Sequence, residues 1–299
     1  MPNLLTTLRW RWPALALLVA AALAGCVSLD TQQRKWIFQA SVLTTPDDGA
    51  QIDGVDDVWI PLPDAQAAQT AQGTREATPA APGQPKLHAL WLAGPTANAP
   101  VMLYLHGARR NVESSVFRIR HMQELGFAAL AIDYRGFGRS SDELPSEASV
   151  DEDARAGWAW IEARYPGRDR YIFGHSLGGA IAVRLATEVT DAKGLVVEGT
   201  FTSIPAVFET MKWGWLPITP LITQRFDSAA RIAKVKVPVL VVHGAADALI
   251  PPALGRALYE RAAAPKRFVL VEGGTHYSTN SRGQRQYRDA LRELYGFGA

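Results

Sequence analysis

Gly174-His175-Ser176-Leu177-Gly178-Gly179 lies between a short apolar stretch, Arg170-Tyr171-Ile172-Phe173, and a stretch with helical spacing, Ala180-Ile181-Ala182-Val183-Arg184-Leu185-Ala186. The pattern predicts a strand, a tight turn and a helix, with Ser176 at the bend. A Cβ at position 174 or 178 would crowd such a turn. The bend exposes the serine hydroxyl. The helix that follows aims its first N–H groups and its positive dipole end at the same point. An oxygen nucleophile needs both exposure and nearby donors for developing negative charge.

Serine is a weak nucleophile near neutral pH, so it requires a base and the base an orienting acid. Val237-Pro238-Val239-Leu240-Val241-Val242 reads as a buried strand, and His243-Gly244-Ala245-Ala246-Asp247 sets Asp247 just past its end. Arg267-Phe268-Val269-Leu270-Val271 reads as the next strand, and Glu272-Gly273-Gly274-Thr275-His276 sets His276 in an equivalent loop. Parallel strands would deliver Ser176, Asp247 and His276 to one sheet edge, in the chain order serine, acid, histidine. Glu198, ending the strand before an aromatic excursion, is the rival acid. Asp133, beside Tyr134-Arg135-Gly136, reads as a carboxylate that fixes a loop. Among the six histidines, His106, His175 and His243 sit beside glycine at strand ends and read as turn-fixing. His88, in a strand, and His121, in a helix, read as structural. No grouping has metal-ligand spacing such as H-E-x-x-H, so no metal is expected.

With these residues in place the chain resembles the serine α/β-hydrolases, over roughly Trp36 to the C-terminus. It is most similar to the BEM46-like group, with its ABHD17-type and ABHD13-type members. The stretches that carry the resemblance begin with Gln33-Arg34-Lys35-Trp36-Ile37-Phe38-Gln39, Tyr104-Leu105-His106-Gly107 and Asp133-Tyr134-Arg135-Gly136-Phe137-Gly138. They continue with the Ser176 turn, Glu198-Gly199-Thr200-Phe201-Thr202-Ser203, His243-Gly244 with Asp247, and Gly274 with His276. The resemblance implies a mostly parallel central sheet with helices on both faces and a short cap. It implies Ser176 as nucleophile, Asp247 as acid and His276 as base, in cofactor-free hydrolysis of a carboxylic ester or thioester through an acyl-enzyme. A serine peptidase, or a non-catalytic binding protein on the same fold, is the alternative. Relatives often place asparagine and glycine after the His-Gly pair, whereas Ala108-Arg109-Arg110-Asn111 follows it here. Main-chain donors do not depend on their side chains, so the N–H groups of Leu177 and Ala108 remain the expected oxyanion hole.

The 299 residues carry a formal net charge of +2, and no polybasic run or basic aromatic stripe points to nucleic acid. Length and apolar content suit one full-sized α/β domain, expected as a monomer. Arg9 and Arg11 precede an apolar stretch from Pro13 to Leu23, too short for a comfortable membrane span. Leu23-Ala24-Gly25-Cys26 resembles the bacterial lipobox, which implies a signal peptide over residues 1–25 and lipid on Cys26. The competing reading is an ordinary secretory signal with an incidental cysteine. Two or more acyl chains on Cys26 would hold the protein on a membrane. Val27 in place of aspartate implies the outer membrane, facing the periplasm. Cys26 is the one cysteine, so no intramolecular disulfide is possible.

Along the rest of the chain, Val27 to Gln33 reads as a tether, and Trp36 to Leu43 and Val55 to Ile60 read as edge strands. Residues 64–85, rich in Ala, Gln, Thr, Gly and Pro, read as a mobile insertion. Strands at Leu87–Leu92, Val101–Leu105, Phe127–Ile132 and Gly194–Val197 alternate with helices, one over Glu113–Leu125. Another helix is expected to open at a capping box, Ser149-Val150-Asp151-Glu152, and to run to about Arg164. The excursion over about 200–235 holds many apolar residues and is expected as the cap. Phe201, Trp213 and Trp215 are its candidates for substrate contact. The competing reading is that its apolar residues pack the cap onto the core.

Overall fold

Along β3 (Val101–Leu105) all five side chains are buried. Val101, Leu103 and Leu105 join one apolar cluster, while Met102 and Tyr104 join a second on the opposite face. A strand apolar on both faces belongs at the centre of a sheet covered on both sides. The computed structural model, which describes residues 25, 27–40, 52–63, 84–263 and 265–297, shows that sheet. Its other strands are β1 (Asp56–Pro61), β2 (Lys86–Leu92), β4 (Ala128–Ile132), β5 (Arg170–His175), β6 (Ala192–Glu198), β7 (Val239–Gly244) and β8 (Lys266–Val271). Their spatial order is β1-β2-β4-β3-β5-β6-β7-β8. The first two pairings are antiparallel, and from β4 to β8 the sheet is parallel.

Helix α1 is described continuously over residues 27–38. After it come α2 (Val116–Glu124), α3 (Glu147–Arg164), α4 (Leu177–Glu188), α5 (Ile204–Glu209) and α6 (Ser228–Ile232). The chain continues through α7 (Pro252–Arg261), α8 (Thr279–Arg282) and α9 (Gln284–Tyr295). Ile119 and Met122 of α2 and Tyr287 and Leu291 of α9 cover one face. Trp158 of α3, Ile181 of α4, Ile232 of α6 and Leu258 of α7 cover the other. Parallel strands send their following loops to the same edge, and open α/β sheets form their sites there.

Several expectations are corrected. Trp36 to Leu43 is not an edge strand, and Val27 to Gln33 is not a tether: residues 27–38 are helical, and 41–43 lie outside the described residues. The consecutive Trp36-Ile37-Phe38 run looks strand-like. In the helix, however, Leu29, Gln33, Trp36 and Ile37 fall at helical spacing on one side, and an Asp30–Arg34 ion pair at 3.8 Å supports the turn between them. The capping box of α3 lies three residues earlier than expected. Ser146 is the extended N-cap, its Oγ accepting from Ser149 N–H at 3.1 Å while Ser149 Oγ accepts from Ser146 N–H at 2.9 Å. The helix expected over Glu113–Leu125 is a 3₁₀ turn, Glu113–Ser115, followed by α2. Cys26, the signal segment 1–24 and nearly all of the expected insertion, residues 64–83, lie outside the described residues. Among the described residues no helix is long and apolar enough to cross a membrane.

Candidate active site

Ser176 links β5 to α4 with φ 56° and ψ −122°, a backbone conformation unusual for a residue with a side chain. Tight packing enforces it. A Cβ on Gly174 would come within 2.2 Å of Gly178 O, and one on Gly178 within 2.1 Å of Leu105 O. The elbow is anchored to β6 as well: Ser176 N–H donates to Glu198 O at 2.9 Å, and Thr200 Oγ1 donates to Ser176 O at 2.9 Å. The hydroxyl therefore stands at the carboxyl edge of the sheet, at the N-terminus of α4.

Two loops meet it there. His276 Nε2 lies 3.0 Å from Ser176 Oγ, and His276 Nδ1 lies 2.8 Å from Asp247 Oδ2. A carboxylate only accepts, so Nδ1–H donates to Asp247, and in the neutral imidazole Nε2 accepts from the serine hydroxyl. The other carboxylate oxygen is held by the N–H groups of Leu249 at 3.0 Å and Ile250 at 2.9 Å. Burial alone would raise the Asp247 carboxyl. Hydrogen bonds from His243, His276 and the Ile250 amide outweigh it and hold the group below the usual carboxylate range. Asp247 is thus an anion fixed against the imidazole. His243 has the turn-fixing place expected of it: its Nε2–H donates to Ile250 O at 2.8 Å.

Glu198, the rival acid, points away from this line. Its Oε1 accepts from Arg118 Nε–H at 3.1 Å, and its Oε2 accepts from Tyr287 OH. Arg118 is what the sequence reading missed. Its buried guanidinium also donates from Nη2 to the carbonyls of His276 and Tyr277, each at 3.4 Å. Arg118 thus ties α2 to the loop that carries His276. His175 donates from Nε2 to His276 O at 3.0 Å. Burial, then the Arg118 and His276 charges, push the His175 imidazole well below its ordinary value and keep it neutral. Asp133 has its loop-fixing place: it accepts from Val112 N–H at 2.8 Å and faces His88 Nδ1 at 3.3 Å.

Above Ser176 opens a largely apolar cavity of about 670 Å³. Ala108 and Leu177 line it beside the serine, as do Phe201, Val207, Phe208 and Met211 from the excursion between β6 and β7. Trp213 and Trp215 do not. They are 57% and 73% exposed and lie on the outer surface of that excursion, where a turn at Gly214 turns them to solvent. Arg109, Arg110 and Arg118 are the cationic side chains on the wall, and among its lining residues none is Asp or Glu. Unexpectedly, α1 supplies part of the wall, through Leu29, Gln33, Trp36 and Ile37.

Residues 96–226 and 221–282 match the family Hydrolase_4, described as serine aminopeptidase, S33. The chain belongs to this serine hydrolase family. An uncharacterized protein of Mycobacterium tuberculosis is 39% identical over 173 residues, 57% of this chain and 60% of that protein. The lysophosphatidylserine lipase ABHD12 of Danio rerio is 31% identical over 185 residues, 56% of this chain and 48% of the lipase. The chain thus spans about half to three fifths of the length of these curated relatives. Among solved structures, ferulic acid-bound Est1E of Butyrivibrio proteoclasticus superposes with a TM-score of 0.61 at 21% identity, covering 71% of this chain and 96% of that one. The Pyrococcus furiosus esterase Pf2001 gives 0.61 at 19% identity, covering 85% and 97%. At such identities these likenesses establish the α/β-hydrolase fold.

Proposed function

We propose that the protein hydrolyses carboxylic esters or thioesters of apolar acyl groups through an acyl-enzyme on Ser176. The observation that carries the reading is the unbroken line from Asp247 through His276 to Ser176 Oγ, with contacts of 2.8 and 3.0 Å, at the floor of an apolar cavity. His276 Nε2 takes the hydroxyl proton as Oγ bonds to the acyl carbonyl carbon. Asp247 holds the imidazolium that results. The N–H groups of Leu177 and Ala108 receive the oxyanion, each such donor contributing about 3 kcal/mol in the transition state. Collapse breaks the bond to the alcohol or thiol, which leaves with the proton from His276. A water deprotonated by His276 then frees the acid and restores Oγ–H.

The family description names an aminopeptidase, which must bind an α-ammonium group. A cavity wall with arginines and no acidic side chain is poorly suited to that cation and suits a neutral or anionic acyl ester. The relatives named as lipases fit the same preference. Within the family we assign the chain to the BEM46-like group, with a cap over about 200–235.

The same reading makes the protein a lipoprotein held by lipid on Cys26 at the outer membrane. The residues that follow it, 27–38, are helical, and the apolar side chains of Trp36, Met211 and Leu221 stand exposed around the cavity mouth. Exposed apolar patches of this kind mark interaction surfaces.

The test is a panel of esters and thioesters of graded chain length, with peptide anilides alongside and Ser176→Ala as control. A fluorophosphonate probe should label wild type and not the variant. Absence of labelling would favour a binding protein, and anilide cleavage exceeding ester cleavage a peptidase.

A further inference from the structure

We infer that α1 is a substrate-binding element: the face bearing Leu29, Gln33 and Trp36 forms the acyl-chain wall and sets chain-length selectivity. The inference rests on the acyl-ester reading above. Three observations support it. First, α1 is docked rather than free. Gln33 Nε2 donates to Leu221 O at 2.8 Å, and its Oε1 accepts from Thr223 N–H at 2.9 Å. Asp30 Oδ1 accepts from Thr223 Oγ1 at 2.6 Å and from Gln224 Nε2 at 2.9 Å.

Second, the helix ends in a fixed pivot. Phe38 is fully buried edge-on to Phe226 with ring centroids 5.8 Å apart, and its carbonyl accepts from Arg109 N–H at 2.9 Å. Arg109 directly follows Ala108, so the same helix end braces the loop of the expected oxyanion donor.

Third, apolar surface of α1 is left uncovered on the cavity side. Leu29 is 41% and Trp36 74% exposed although both line the cavity. Surface of that kind gains free energy when an alkyl chain covers it, at about 25 cal/mol per Å². A short acyl group at Ser176 has no need of this wall, and a longer one gains by reaching it. The segment next to the anchoring cysteine would then also select the acyl chain.

The test uses the full chain in phosphatidylcholine nanodiscs. Leu29→Trp narrows the wall, and Trp36→Ala removes part of it. In both, the ratio of kcat/KM for p-nitrophenyl dodecanoate to that for p-nitrophenyl acetate should fall, by at least tenfold in Leu29→Trp. In parallel, dodecanoate carrying a terminal diazirine is photolysed with wild type, and the adducts are mapped. Adducts within residues 27–38 are expected, and this readout does not require Ser176 to react. A ratio within twofold of wild type in both variants, or adducts confined to other segments, would overturn the inference. Failure of the proposed hydrolysis is a separate result: no probe labelling and no ester cleavage by wild type.

Discussion

Ser176 holds a backbone conformation that costs about 1–3 kcal/mol for a residue with a Cβ, and glycine adopts it without that cost. Ser176→Gly and Ser176→Ala should both be inactive. The glycine variant should be the more stable by about 1 kcal/mol after its larger unfolded-state entropy is counted, as read from urea midpoints. Equal midpoints would mean that the strain at this residue does no more than offset glycine's unfolded-state entropy. Asp247 is tied to function differently. Asp247→Asn leaves a hydrogen-bonding group of the same shape but favours the wrong tautomer of His276, so kcat should fall by about 10³–10⁴. Glu198→Gln, whose oxygens face Arg118 and Tyr287, should leave kcat within about tenfold, because it reaches the imidazole only indirectly, through Arg118 and His175. The reverse ranking would make Glu198 the acid. The Asp247 carboxylate also has a pH signature. Its folded pKa lies below the unfolded value of about 3.9, so its stabilisation is present above that pH and is lost as the pH falls. The urea-midpoint gap between wild type and Asp247→Asn should be full at pH 6 and close below about pH 4.

The elements were legible in the sequence where local pattern and tertiary demand agree. The Ser176 turn, with a buried strand before it and an apolar helix after it, allowed one structure. The strands bearing Asp247 and His276 were visible as short apolar runs ended by glycine. Helix α1 was not, because Trp36-Ile37-Phe38 carries no internal sign that Phe38 turns inward to Phe226 while Trp36 faces a cavity. Arg118 was not either. It is two residues from Arg120 on an amphipathic helix, and only the fold brings Glu198, 80 residues away, to receive it. Helix α3 shows another feature hidden from pattern. Two of its carboxylates, Asp151 and Asp153, are buried, and burial raises them to about 7 and about 6. Asp153 is bonded through both oxygens to Arg135, at 2.8 Å each, whereas Asp151 pairs with Arg184 at 4.0 Å and feels Arg231 from farther off. A carboxyl raised on folding binds protons more tightly in the native state, so stability falls as the pH rises between the unfolded and folded values. Asp151→Asn should therefore stabilise the protein by about 1–3 kcal/mol at pH 8 and by little at pH 4. A stabilisation independent of pH would mean that charge burial is not its cause.

On the scale of the whole molecule, the sheet brings the reactive line and the cavity to one edge, and exposed apolar side chains such as Trp36, Phe117, Met211 and Leu221 line that cavity. Trp213 and Trp215 are exposed without lining the cavity, beside Lys212, whose ammonium lies 5.5 Å from the Trp213 ring. Indole rings with a cation nearby suit the boundary between lipid headgroups and acyl chains, where one end stays apolar and the other wet. Of the aromatic residues expected to touch substrate, Phe201 lines the cavity, whereas Trp213 and Trp215 are placed for a contact outside it. Their apolar area, covered by a bilayer, should contribute more than about 1.4 kcal/mol, a factor of ten in partitioning. The double variant Trp213→Ala/Trp215→Ala, in a form lacking residues 1–26 so that no anchor masks the effect, should bind phosphatidylcholine vesicles at least tenfold more weakly in a sedimentation assay. Hydrolysis of soluble p-nitrophenyl acetate should stay within twofold, since neither ring reaches the cavity. Unchanged vesicle binding would mean that these indoles serve no lipid surface. A parallel loss of acetate hydrolysis would show that they hold the excursion over Ser176 in place.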